Sequence, residues 1–265
     1  MSKAVFKSLA LASTLSITTL LSLSCHATIV DVETSHGNFK INLHDQTTPK
    51  TVENFLKYVT DKDYDNTVVH RLVPGFIMQA GGFSFEGDFP LTSISDGAPT
   101  VINEPVYSSV QGTIAMAKPG NNSNGATSQW FINYKNNSSI LDTQNGGFTV
   151  FGEVIEGMDK INAMANLDIC TAVSAWPGYG DVPMPGYTSD NCADSNYVPG
   201  VENFITIHSI TIIDATVVTD ANLSSVKNTL LSPTDSSGSS GGGSLSYFAL
   251  LSLALFGLRR KVKSA

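Results

Sequence analysis

Basic residues are scarce in this chain: 15 Lys and Arg stand against 23 Asp and Glu, giving a formal net charge of −8 and a sequence pI near 5.0. No basic stripe runs through its body. A nucleic-acid surface, which works by displacing counterions with clustered cations, is therefore excluded. Cysteine is sparse as well, at three residues. No spacing of His, Cys or Asp has the form of a metal site, and neither a metal nor any other cofactor is expected. His36, His44 and His208 fall in hairpin or strand contexts, and His70 beside a glycine turn reads as structural, so no Ser-His-Asp or Cys-His set can be assembled. The segments GGFSFEG and PGNNSNG lack both a Walker lysine and a strand-to-helix context. They read as loops.

The two ends differ from the middle. Lys3 and Lys7 precede an apolar stretch from Leu9 to Leu23, and Cys25 and Ala27 stand at minus three and minus one of a cut before Thr28. Residues 1–27 thus read as a secretory signal peptide. The rival, a lipoprotein signal using Cys25, would want Leu23 three residues before the cysteine, and it is two. With the signal removed, Cys170 and Cys192 remain, and in an oxidising compartment they most simply pair, although two free thiols or a metal pair are the alternatives. They bracket a Gly-, Pro-, Tyr- and Asp-rich stretch around 168–200 without helical or strand periodicity, an insertion that the disulfide would fasten away from any catalytic step.

Setting the ends aside leaves about 190 residues, enough for one compact core. TIVDVET, a turn at His36-Gly37-Asn38, and FKINLH alternate apolar and polar residues as a β-hairpin does. Thr47 or Thr48 before Pro49 starts a helix whose apolar face carries Val52, Phe55, Leu56 and Val59. Short strand candidates follow at Val68 to Leu72, Gly75 to Gln79, Gly112 to Ala117, Gln129 to Tyr134, Phe148 to Val154 and Phe204 to Ile213, with a second helix over Glu156 to Asn166. Many short strands and few helices favour a mainly β protein, a closed barrel rather than a layered α/β sheet. The folded domain is expected over 28–220, followed by a Ser/Gly-rich linker over 221–244.

The most specific stretch is HRLVPGFIMQAGG, His70 to Gly82, which sets Arg71 and Gln79 around a turn bearing Phe76. Together with IAMAK (Ile114 to Lys118), TSQWFI (Thr127 to Ile132) and FTVFGEVIEGMDKI (Phe148 to Ile161), it resembles the cyclophilin family of peptidyl-prolyl isomerases, and does so from roughly Thr28 to Asp214. The resemblance implies an eight-stranded antiparallel barrel, closed and capped by two helices, that isomerises X-Pro bonds without a cofactor during folding of exported proteins. It implies Arg71 as the catalytic arginine, Gln79 to steady it, and Gln129 to contact substrate backbone. Phe76 and Phe131, with Leu141 and Ile77, become the proline pocket, and Ala117 and Lys118 the strand that offers main-chain hydrogen bonds to the peptide.

Each residue taken alone has a plainer role: a lone arginine usually pairs with a carboxylate, and a lone phenylalanine usually belongs to a core. The alternation in SQWFI separates them, turning Gln129 and Phe131 to a groove and Trp130 and Ile132 to the interior. Two positions depart from the family. Ile140 stands where animal cyclophilins carry a tryptophan, and Phe148 where they carry a groove histidine, so a weak response to the cyclic peptide cyclosporin is expected. From another functional class, the alternative is a non-catalytic chaperone module that only holds proline-containing polypeptides.

The linker ends in three glycines, Gly241 to Gly243, and a serine, and the apolar run Leu245 to Leu258 and the basic cluster Arg259, Arg260, Lys261 and Lys263 follow. About 20 apolar residues make an ordinary membrane helix, so the run is short for a permanent anchor. The arrangement resembles the GlyGly-type C-terminal sorting signals of Gram-negative bacteria, cut near the glycines by an intramembrane rhomboid-like protease. The expected location is therefore the periplasm, cell surface or medium, with 245–265 as a sorting tail in the inner membrane; simple anchoring by 245–258 is the alternative.

Overall fold

The computed structural model describes residues 28–87, 90–171, 180–194, 199–215, 223 and 225–231. The expected signal peptide, the Gly-rich part of the linker and the apolar tail all lie outside the described residues. Thirteen strands and four α-helices appear in the described chain. The first hairpin joins β1 (Ile29–Thr34) to β2 (Phe39–Leu43) across Gly37, whose φ of 110° is open to glycine at little cost. Helix α1 (Pro49–Thr60) begins on Pro49, where a missing N–H costs nothing. Thr48 precedes it without capping it through its side chain, and its hydroxyl donates instead to the His44 carbonyl. The helix buries Val52, Phe55 and Val59 as its periodicity predicts.

The strands that follow are short: β3 (Thr67–Val68), β4 (Arg71–Val73), β5 (Ile77–Ala80), β6 (Phe83–Ser84) and β7 (Thr92–Ser93). Then come β8 (Thr113–Met116), β9 (Trp130–Asn133), helix α2 (Ser138–Leu141), β10 (Val150–Glu156) and helix α3 (Met158–Met164). The insertion contributes a two-stranded hairpin, β11 (Ile169–Cys170) with β12 (Val182–Pro183), and the short α4 (Ser189–Ala193), before the long β13 (Thr206–Asp214).

One sheet takes eleven of the strands in the order β4-β5-β9-β8-β10-β2-β1-β13-β3-β6-β7. It curls around a core that includes Phe39, Phe55, Tyr64, Trp130 and Phe151, all fully buried. The fold is mainly β and cyclophilin-like, but the hydrogen bonding differs from the closed eight-stranded barrel that was expected. β4 and β7 end the order without pairing to each other, and eleven strands replace eight. The count rises because β3, β6 and β7 are two-residue pieces defined by their neighbours and not by any run of alternating side chains.

Helix α3 is fixed at its start and at its middle. Gly157 before it holds φ at 86°, and a Cβ there would lie 2.4 Å from the Asn38 carbonyl oxygen, so the helix starts directly against the first hairpin. At its middle, the Tyr134 hydroxyl donates to the Ile161 carbonyl at 3.0 Å. Past β13 the chain returns to the segment ahead of β8: Ser108 N–H donates to the Val226 carbonyl and Asn228 N–H to that of Val106, an antiparallel bridge inside the stretch read from sequence as linker. Among the described residues no helix is long and apolar enough to cross a membrane.

Candidate functional site

Cross-strand register assembles the site. Arg71 on β4 faces Gln79 on β5, Gln79 faces Phe131 on β9, and Phe131 faces Ala115 on β8. Residues directly opposite in a sheet share a face, so these four form one row across it. The neighbouring row, Leu72, Met78, Ile132 and Ile114, points the other way into the main core, as do Trp130 and Met116. The separation expected from SQWFI is thus realised residue by residue.

Beside the row lies a small apolar cluster distinct from the main core: Ile77, Ala115, Ala117, Phe131, Leu141, Phe148 and Val150, with Phe76 packed partly exposed against it. Phe131 and Phe148 meet edge to face, with centroids 5.5 Å apart at 82°. The Phe76 turn is held by its carbonyl, which accepts from Tyr134 N–H and from the Asn137 side-chain amide, each at 2.9 Å. Ile140 stays 39% exposed and is not in the cluster, although Leu141 next to it is buried there.

The polar half is equally ordered. Gln79 donates to Gln129 at 2.8 Å, and Gln129 in turn lies so close to Gly82 that a Cβ at that glycine would approach its Cγ to 2.6 Å. The Arg71 side chain is 17% exposed, and its Nη1 is buried without a hydrogen-bond partner, as is Gln79 Oε1. Its Nη2 lies 3.9 Å from the Asp181 carboxylate. Burial pushes the Arg71 pKa down and Asp181 pushes it back up; the group remains a cation throughout any working range.

Lys118 also reaches the cluster through its side chain, a contact that was not expected. Its ammonium group donates to the Asn145 and Gly147 carbonyls and stands 5.0 Å from the centre of the Phe148 ring. Asn137, Asp181 and the Lys118 side chain were all missed from sequence. Their contacts are single long-range hydrogen bonds or ion pairs, which leave no periodic trace. The insertion also sits otherwise than expected: Cys170 and Cys192 are joined, but the segment they fasten reaches Arg71 through Asp181. Among the described residues no group of His, Cys, Asp and Glu is placed to hold a metal ion.

A cation with an unpartnered N–H group thus stands beside a small apolar cluster that carries aromatic rings. Residues 29–180 match the family described as cyclophilin type peptidyl-prolyl cis-trans isomerase/CLD. A peptidyl-prolyl cis-trans isomerase of Streptomyces antibioticus is 37% identical over 161 residues, 58% of this chain and 91% of the relative. One of Acinetobacter baylyi is 36% identical over 157 residues, 57% of this chain and 80% of that one. A solved Cryptosporidium parvum cyclophilin type isomerase, 24% identical, covers 70% of this chain and 97% of its own with a TM-score of 0.48. The chain belongs to the cyclophilin-type peptidyl-prolyl isomerase family.

Proposed function

We infer that this protein is a peptidyl-prolyl cis-trans isomerase in which Arg71 is the catalytic donor and Phe76, Ile77, Phe131, Leu141 and Phe148 receive the proline ring. The observation that carries the reading is the buried, unpartnered Nη1 of Arg71 in one row with Gln79 and Phe131. Rotation about an X-Pro bond faces a barrier of about 18–20 kcal/mol because the C–N bond has double-bond character. No nucleophile is needed to lower it. A hydrogen bond to the prolyl nitrogen, strengthening as that atom becomes pyramidal, stabilises the twisted state more than either planar one. Gln79 and Gln129, each able to donate and accept, suit the arginine and a peptide backbone that reorients as it turns. Ala117 and Lys118 offer the main-chain groups alongside.

Arg71→Ala is expected to keep the fold and slow isomerisation about a hundredfold, the loss of roughly 3 kcal/mol typical of one removed electrostatic donor. An isomer-specific peptide assay measures it. A folded variant that turns over at the parental rate would remove Arg71 from catalysis, and a parent that binds proline peptides without turnover would make the protein a holding module instead.

The clients proposed are proline-containing segments of polypeptides folding outside the cytoplasm, from the signal-peptide pattern of 1–27. The tail 245–265 is proposed as a sorting signal removed near Gly241 to Ser244, from the short apolar run between glycines and a basic end. Intact-mass measurement on protein from its host decides this: a mature chain still ending at Ala265 in the inner membrane would mean anchoring.

A further inference from the structure

The insertion closed by Cys170 and Cys192 ends one side of its hairpin on Asp181, one residue past the stretch matched by the family. Asp181 does two things to β4. Its carbonyl accepts from Leu72 N–H at 2.6 Å, which docks the insertion on the strand that carries Arg71. Its carboxylate lies 3.9 Å from Arg71 Nη2, with the two side chains 31% and 17% exposed. That separation is too long for a hydrogen bond and short enough for Coulomb attraction in a half-buried setting. The cation is therefore drawn to one side without an N–H being used up, and Nη1 stays in reserve.

The backbone of Asp181 has φ at 59°, a left-handed conformation that Asp and Asn adopt more readily than other non-glycine residues, and here the surrounding packing holds it. Those surroundings are specific. Val182, the next residue, pairs with Cys170, and both are buried in a cluster with Met184, Tyr187, Cys192, Val68 and Phe204. Met184 N–H donates to the Asp168 carbonyl, closing the hairpin. The disulfide ties α4 to β11 across 22 residues of sequence and so holds the hairpin from which Asp181 projects.

We propose that Asp181 is a positioning residue for Arg71, delivered to the groove by the disulfide-closed insertion, so that the insertion tunes turnover. This rests on Arg71 being the catalytic donor. Asp181→Asn keeps the size, tolerates the left-handed backbone and leaves the Leu72 bond intact, removing only the charge. It is expected to lower kcat about three- to tenfold with KM nearly unchanged, because the orienting effect is felt where the arginine meets the twisted bond. In an Arg71→Ala background the same change should have no further effect, since the group it orients is gone. Cys170→Ala with Cys192→Ala should lower kcat similarly, and not additively with Asp181→Asn.

Parental kcat in Asp181→Asn, or an equal additional fall in the Arg71→Ala background, would overturn the proposal. If the cysteine pair variant fails to fold, the Asp181–Arg71 cycle alone decides. Were the parent inactive, the isomerase reading would fail separately. The NMR resonance of the Arg71 Nε–H group would still test the link: it should move in Asp181→Asn, and an unmoved resonance would sink the inference.

Discussion

Lys118 illustrates how one side chain can brace an apolar cluster from its edge. The loop ahead of Phe148 passes through Asn145, Gly146 and Gly147 with φ values of 50°, 77° and 72°, three left-handed residues in a row. Such a turn leaves carbonyls pointing away from any regular partner, and the Lys118 ammonium collects two of them. Desolvation lowers the Lys118 pKa to about 8. Between that value and its ordinary 10.5 the unfolded chain holds the extra proton, so the strain of burying the charge is present below about pH 8 and relieved above it. The charge-assisted bonds weaken over the same window. Lys118→Met keeps the stem and removes the donors; the Gly147 carbonyl keeps its bond from the Asn103 amide, while the part-buried Asn145 carbonyl loses its partner, at a cost of about 1 kcal/mol. We expect a lower melting temperature and a KM raised several-fold with kcat less affected, as Phe148 loses its support. Unchanged KM in a folded Lys118→Met protein would show that the loop holds itself.

At the level of elements, local chemistry wrote most of the plan. The Gly37 hairpin, the Pro49 start of α1 and the alternation of β9 were legible because each depends on a few neighbouring residues. The row of Arg71, Gln79 and Phe131 was legible through family resemblance, although its pairing across β4, β5 and β9 is long-range. What stayed hidden was held by tertiary partners. The return of Ser225–Leu231 to Val106–Ser108 rests on main-chain bonds and on the Asn228 amide reaching the Asp142 carbonyl, contacts that any polar sequence could make. Gly157 lies between these cases, since a glycine before a helical run is visible but its collision partner is not. Gly157→Ala would force a Cβ against the Asn38 carbonyl and the Phe39 Cα at 2.4 and 2.7 Å, in a backbone conformation costly for alanine. We expect about 2–4 kcal/mol of destabilisation from strain plus overpacking. Denaturant unfolding measures it, and a loss below half a kcal/mol would mean that α3 pivots freely on the hairpin.

For the molecule as a whole, two buried histidines couple stability to acid. His70 stands beside the row of Arg71, Gln79 and Phe131, and His44 just past the end of β2, both essentially without exposure. Burial pushes each pKa down to about 4. A base whose folded pKa lies below its unfolded value of 6.5 binds more protons unfolded than folded between the two. Stability is therefore complete above about pH 6.5 and falls as the pH drops toward 4. Each shift of that size corresponds to roughly 3 kcal/mol, so the pair withdraws on the order of 6 kcal/mol, a large part of what a domain ordinarily has. His44 also contacts Tyr107, with ring centroids 4.6 Å apart, and Tyr107 pairs with Lys227 in the returning segment. Protonation at that end should loosen the segment along with the sheet. We expect the urea midpoint to fall steeply between pH 6.5 and 4.5, and His44→Gln, which cannot take the proton, to flatten about half of that slope. Equal slopes in parent and variant would place the acid sensitivity elsewhere.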